Sequence, residues 1–148
     1  MYFDGRIFKR RFNILLLEDE PVLRHMLSLV LERSGYRVLT AGSVEDAETV
    51  LRAMGAAWID LVLSDANLSR NPSVLDGYRF HAEWQARYPV PPFVFMLGSG
   101  GNPAAAAEER RFPPCGEFGS QGGPRISHVL KPFQPASLLA LIRGMLME

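Results

Sequence analysis

Four short apolar blocks in this chain run directly into side chains that can do chemistry. Ile14-Leu15-Leu16-Leu17 ends at Glu18-Asp19, Ile59 to Leu63 at Ser64-Asp65, Phe93 to Leu97 at Gly98-Ser99, and Ile126 to Leu130 at Lys131. If these blocks are parallel strands, their ends share one edge of a sheet. In open α/β sheets that edge, beyond the carboxyl ends of the strands, is where ligands bind. Three carboxylates, a hydroxyl and an ammonium would then surround one crevice.

Such a cluster has a definite chemistry. Two unit charges about 4 Å apart repel by roughly 4 kcal/mol at an effective dielectric near 20. A divalent cation removes that penalty, and an oxygen-only donor set selects a hard ion such as Mg²⁺, which keeps several waters and takes up a phosphate oxygen. A carboxylate can itself be the nucleophile and become an aspartyl phosphate. Lys131 would offset charge on the phosphoryl oxygens, with a hydroxyl at the end of the fourth strand as a further donor. Taken singly, an acid after a strand is more often a turn residue or a helix cap. What argues for a site is the order Glu-Asp, Asp, small-Ser and Lys-Pro, each after its own apolar block.

The intervening segments read as the helices that would connect such strands. Pro21 suits a first helical turn, Leu23, Met26, Leu27, Val30 and Leu31 recur at helical spacing, and Gly35 supplies the stop. Tyr36 to Ala41 is a further strand. Ser43 with Asp46 has capping-box spacing ahead of an apolar stripe of Ala47, Val50, Leu51 and Met54. Gly77 to Tyr88 reads as a helix, and Leu138, Leu141, Ile142 and Met145 mark a closing one. Strands alternating with helices predict a parallel sheet covered on both faces. One stretch departs from the pattern: between Gly98 and Arg125 lie seven of the 13 glycines and four of the 11 prolines. Within it, Ala104 to Arg111 has helix-forming composition, and Phe112 to Arg125 reads as an irregular loop.

Composition narrows the class. With 148 residues, 47% apolar and 22% charged, the chain fits one globular domain. Sixteen basic residues balance sixteen acidic ones, which lacks the charge footprint of a nucleic-acid binder. Cys115, the sole cysteine, makes neither an internal disulfide nor a cysteine-based zinc site. No apolar run approaches the ~18 residues of a membrane span, and Met1 to Phe12 has no apolar core of a secretory leader. The expectation is a cytoplasmic single domain at 13–148 behind an N-terminal tail at 1–12, with Arg6 to Arg11 a solvated basic run.

On these motifs the sequence resembles the receiver domain of bacterial two-component response regulators. The resemblance spans roughly Asn13 to Met147 and rests on Leu-Leu-Leu-Glu-Asp-Glu-Pro at 15–21, Asp-Leu-Val-Leu-Ser-Asp at 60–65, Asp76-Gly77 and Lys131-Pro132-Phe133. It implies a flavodoxin-like, doubly wound, five-stranded parallel sheet of order 2-1-3-4-5 with five helices. It also implies that Glu18, Asp19 and Asp65 hold Mg²⁺ with the carbonyl of Asn67, that Asp65 accepts phosphate from a kinase histidine, and that Lys131 contacts the phosphoryl group. The implied partners are a sensor histidine kinase or phosphotransfer protein and a downstream protein target. Such a domain catalyses only its own phosphorylation and dephosphorylation. No effector domain follows the last helix of this sequence, so a stand-alone receiver with output through protein contact is expected, a piece of a larger regulator or hybrid kinase being the alternative.

Several positions depart from the family pattern. Gly98 stands where a Thr or Ser usually follows the fourth strand, with Ser99 one step late as the substitute hydroxyl. His128 occupies the place of the switch aromatic, three residues before Lys131, and the loop from Asp65 to Gly77 carries extra material at Ser69 to Val74. These features favour a second reading, a degenerate receiver serving as a phosphorylation-independent scaffold. A third, a haloacid-dehalogenase-type phosphatase, wants an aspartate where Asn67 stands. His25 and His81 read as helix residues without chemistry, and Trp58 and Trp84 as core or edge packing and not a ligand platform.

Overall fold

The computed structural model describes residues 11–68, 75–98 and 125–147 in full, together with the backbone of Tyr2–Phe3 and Arg6–Ile7. Those two short segments, β1 (Tyr2–Phe3) and β2 (Arg6–Ile7), pair antiparallel within the stretch read as a tail. The main sheet is built from β3 (Asn13–Leu17), β4 (Arg37–Ala41), β5 (Leu61–Asp65), β6 (Phe93–Leu97) and β7 (Ile126–Leu130). All are parallel, in the order β4-β3-β5-β6-β7, which is 2-1-3-4-5 counted along this sheet. The helices are α1 (Pro21–Arg33), α2 (Val44–Met54), α3 (Asp76–Arg87) and α4 (Pro135–Met147). The expected helix at Ala104 to Arg111, the insertion at Ser69 to Val74 and the loop at Phe112 to Pro124 lie outside the described residues.

Period-two alternation in the strands sorts the core into two layers. Ile14 and Leu16 of β3 join Leu61, Leu63, Val94 and Met96 against Leu27 and Leu31 of α1 and Leu138, Ile142 and Met145 of α4. Leu15 and Leu17 join Val62, Phe93 and Phe95 against Ala47 of α2 and Tyr78, Phe80 and Trp84 of α3. Strands buried on both faces are apolar along most of their length, which is why Ile14–Leu17 of β3, Leu61–Leu63 of β5 and all of β6 read as continuous blocks and not as alternating ones. Phe93 and Phe95 are fully buried, and truncating either to Ala should cost about 3–5 kcal/mol.

Local signals account for the element ends. Glu20 caps α1, its carboxylate accepting from the amides of Val22 and Leu23, with Pro21 in the first turn. Ser43 Oγ accepts from Asp46 N, while the Asp46 carboxylate reaches back to Gly42 N. The third sheet strand starts at Leu61, two residues later than its apolar block, because Ala56–Trp58 forms a 3₁₀ turn and Asp60 accepts a hydrogen bond from Asn13 N. Trp84 is buried as expected, its Nε1 donating to Pro89 O. Trp58, in the 3₁₀ turn, is 59% exposed, so of the two readings open to it the structure leaves the edge and not the core. No helix among the described residues is long and apolar enough to cross a membrane.

Candidate functional site

Glu18 and Asp19 leave the end of β3, Asp65 closes β5, and Lys131 follows β7, so parallel pairing alone brings them to one edge. One carboxylate oxygen from each of Glu18, Asp19 and Asp65 lies within 4.8 Å of the others. Lys131 Nζ sits between two of them, donating to Asp65 Oδ2 at 2.9 Å and Glu18 Oε2 at 3.0 Å. Glu18 is buried and also accepts from Glu20 N at 3.2 Å. Asp65 Oδ1 accepts from the main-chain amide of Asn67 at 3.1 Å.

Burial governs the electrostatics. Desolvation, with the Asp65 charge beside it, pushes Glu18 up from 4.5 to about 7, Lys131 opposing the rise. Desolvation also raises Asp65 above its ordinary value, again against the pull of Lys131. The Lys131 ammonium is raised by its bonds to Asp65 and Glu18, which outweigh its own burial. Two carboxylates held above their ordinary values beside a third are a set that a dication would discharge, and all donors are hard oxygens. The residues present fit Mg²⁺.

Glycine at position 77 lets α3 come this close. A β-carbon there would lie 2.1 Å from the Asp65 carbonyl oxygen and 3.0 Å from Ala66 Cα and O. Gly77 N donates to Ala66 O, and the carboxylate of Asp76 accepts from Leu68 N at 2.7 Å. Asp76-Gly77 therefore clamps the turn that follows Asp65.

The structure brings together Glu18, Asp19, Asp65 and Lys131, with Asn67 adjacent through its amide. Ser99 lies outside the described residues. Gly98 directly follows β6, and a β-carbon on it would meet nothing within 4 Å. Sequence reasoning missed Tyr78: its hydroxyl lies 3.0 Å from His128 Nε2, and its ring lies 4.4 Å from Phe95, which is 5.6 Å from His128. The partners are 50 residues apart, so no local spacing could have announced the contact. His81 is buried with its ring edge-on to Phe93 at 4.7 Å, and desolvation lowers it from 6.5 to about 4. It is a neutral core residue.

Sheet order, helix layering and the acidic edge together define the flavodoxin-like class of α/β domain found in chemotaxis-type regulators. The family model for the response regulator receiver domain matches residues 14–109, and the chain belongs to that family. It is 34% identical over 95 residues to the transcriptional regulatory protein GlrR of Escherichia coli K12, covering 64% of this chain and 20% of GlrR. This chain thus spans about a fifth of that relative's length. Among solved structures, a receiver domain protein from Clostridium thermocellum matches with a TM-score of 0.70 at 19% identity, covering 92% of this chain and 94% of that one. The chemotaxis protein CheY4 of Vibrio cholerae matches at 0.67 and 23% identity, covering 93% and 100%. The protein is a receiver domain of the two-component response-regulator type, a family of phosphoacceptors that bind Mg²⁺ at an acidic pocket.

Proposed function

We propose that Asp65 takes a phosphoryl group from a phosphohistidine of a sensor kinase or phosphotransfer protein, within a receiver domain spanning 13–148. The observation that carries this is the Asp65 carboxylate at the sheet edge, 2.9 Å from Lys131 Nζ and grouped with Glu18 and Asp19. A carboxylate oxygen of Asp65 attacks phosphorus, the new O–P bond forms as the N–P bond breaks, and the departing imidazole nitrogen keeps the electron pair. Bound Mg²⁺, held by Glu18, Asp19, Asp65 and the Asn67 carbonyl, supplies charge neutralisation on the phosphoryl oxygens. Lys131 holds the nucleophile in place and carries positive charge to the transferred group. The Asn67 amide fixes the other Asp65 oxygen, and Ser99 is the candidate hydroxyl donor from the fourth sheet strand.

In this reading the domain is a relay station of the cytoplasm and not a turnover enzyme, its output read by a downstream protein. A phosphorylation-independent scaffold is the second reading. It is favoured by Gly98, which has no side chain to follow the phosphoryl group, and by His128 being bonded to Tyr78. Incubation with acetyl phosphate and Mg²⁺ separates the two. Intact mass should gain one acid-labile phosphoryl group that Asp65→Asn does not acquire. Unmodified wild-type protein under these conditions would leave the scaffold reading standing.

A further inference from the structure

The acidic loop is gripped from outside the cluster. Arg24, in the second turn of α1, donates from Nη1 to the main-chain carbonyl of Glu18 at 2.8 Å. The amide of the same residue donates to Ala41 O at 3.0 Å, so both peptide groups flanking Glu18 are held. The Glu18 carbonyl belongs to the peptide plane that carries the Asp19 nitrogen, and fixing that plane fixes where the next side chain leaves the chain. The guanidinium reaches this position because the turn between β4 and α2 has no side chain at Gly42. A β-carbon there would lie 2.9 Å from Arg24 Nη1, 3.6 Å from Cζ and 3.6 Å from Asp46 Oδ2.

We propose that Arg24 is a positioning residue for the cation site: lying over Gly42, it locks the Glu18–Asp19 peptide and aims the Asp19 carboxylate at Asp65. It acts through the main chain. An arginine suits this place because its charge is permanent and its rigid fork of donors comes close over a turn that has no side chain. The inference rests on the Mg²⁺ reading above, but its geometry exists without the metal.

Four proteins test it: wild type, Arg24→Met, Gly42→Ala and the double variant. Gly42→Ala displaces only the far end of a flexible side chain and keeps every charge, so it carries the test even if Arg24→Met fails to fold. Positioning predicts that each single variant weakens Mg²⁺ binding roughly tenfold and moves the Asp19 amide ¹⁵N signal in metal-free protein. The double variant should be no weaker than Arg24→Met, since both break one bond. Tighter Mg²⁺ binding in Arg24→Met with Gly42→Ala unchanged would mean that Arg24 acts only as a nearby charge, and would overturn the proposal. Additive losses would overturn it too. If wild type binds no Mg²⁺, the metal reading fails by itself, and the metal-free Asp19 signal decides the role of Arg24.

Discussion

His128 on the last strand and Tyr78 on α3 meet at 3.0 Å, Nε2 to hydroxyl, and both rings pack against Phe95. The ring three residues before Lys131 is thus tied by a polar bond to a buried partner. Tyr78→Phe keeps the ring and removes the bond. It should cost about 1 kcal/mol in a denaturant titration and shift the His128 Nε2 resonance; an unmoved resonance would show that the two groups do not bond in solution.

Asp65→Asn should do more than abolish phosphorylation. The Asp65 charge is one of the causes holding Glu18 near 7, second to burial. Removing it should lower the Glu18 value part of the way towards 4.5, read from the carboxyl ¹³C titration of metal-free protein. A Glu18 titration left in place would mean that burial acts alone.

Two buried groups give the metal-free domain opposing pH dependences. Glu18 is raised from 4.5 to about 7, so between those values the folded state holds the extra proton and stability falls as pH rises. His81 is lowered from 6.5 to about 4, so the unfolded state holds the proton and stability rises with pH across that window. Each contributes at most about 1.4 kcal/mol per pH unit. His81→Leu should therefore steepen the fall in stability with rising pH between 4.5 and 6.5, and Glu18→Gln should weaken it, leaving the fall that the raised Asp65 contributes. Urea unfolding at a series of pH values, with chelator present, reads both slopes.

Two glycine substitutions should move stability in opposite directions. Gly77→Ala drives a methyl into the Asp65 carbonyl and should cost about 3 kcal/mol or more, with loss of reactivity towards acetyl phosphate. Gly144→Ala, in α4 with open space around the new carbon, should stabilise by about 0.5–1 kcal/mol. Equal effects would mean that the turn after Asp65 yields more readily than its geometry implies.

The sheet and most of the site were legible because the information is local. Each strand of the buried centre is an unbroken apolar block, and each functional carboxylate sits at the end of one. Parallel pairing does the rest, whatever the loops contain. What escaped was either tertiary or hidden in backbone. Tyr78 looked like any residue on an apolar helix face, and Arg24 like a surface charge on a first helix. Glu20 is written beside two cluster acids, but its carboxylate serves the helix as a cap. Composition could not tell a core tryptophan from an edge one: Trp84 is buried, while Trp58 on its 3₁₀ turn is 59% exposed.

Lys131 gives the resting site an occupant of its own. With Nζ bonded to both Glu18 and Asp65, it behaves as a counter-ion tethered to the fold, present at high effective concentration whatever the surrounding salt. An incoming dication would therefore meet carboxylates already part-neutralised, and would share Glu18 and Asp65 with an ammonium bonded to both. The charge already in place offsets part of the attraction that three bare carboxylates would exert on the newcomer. Bonded to Asp65 from the outset, the same lysine already stands where an arriving phosphate would need a positive charge.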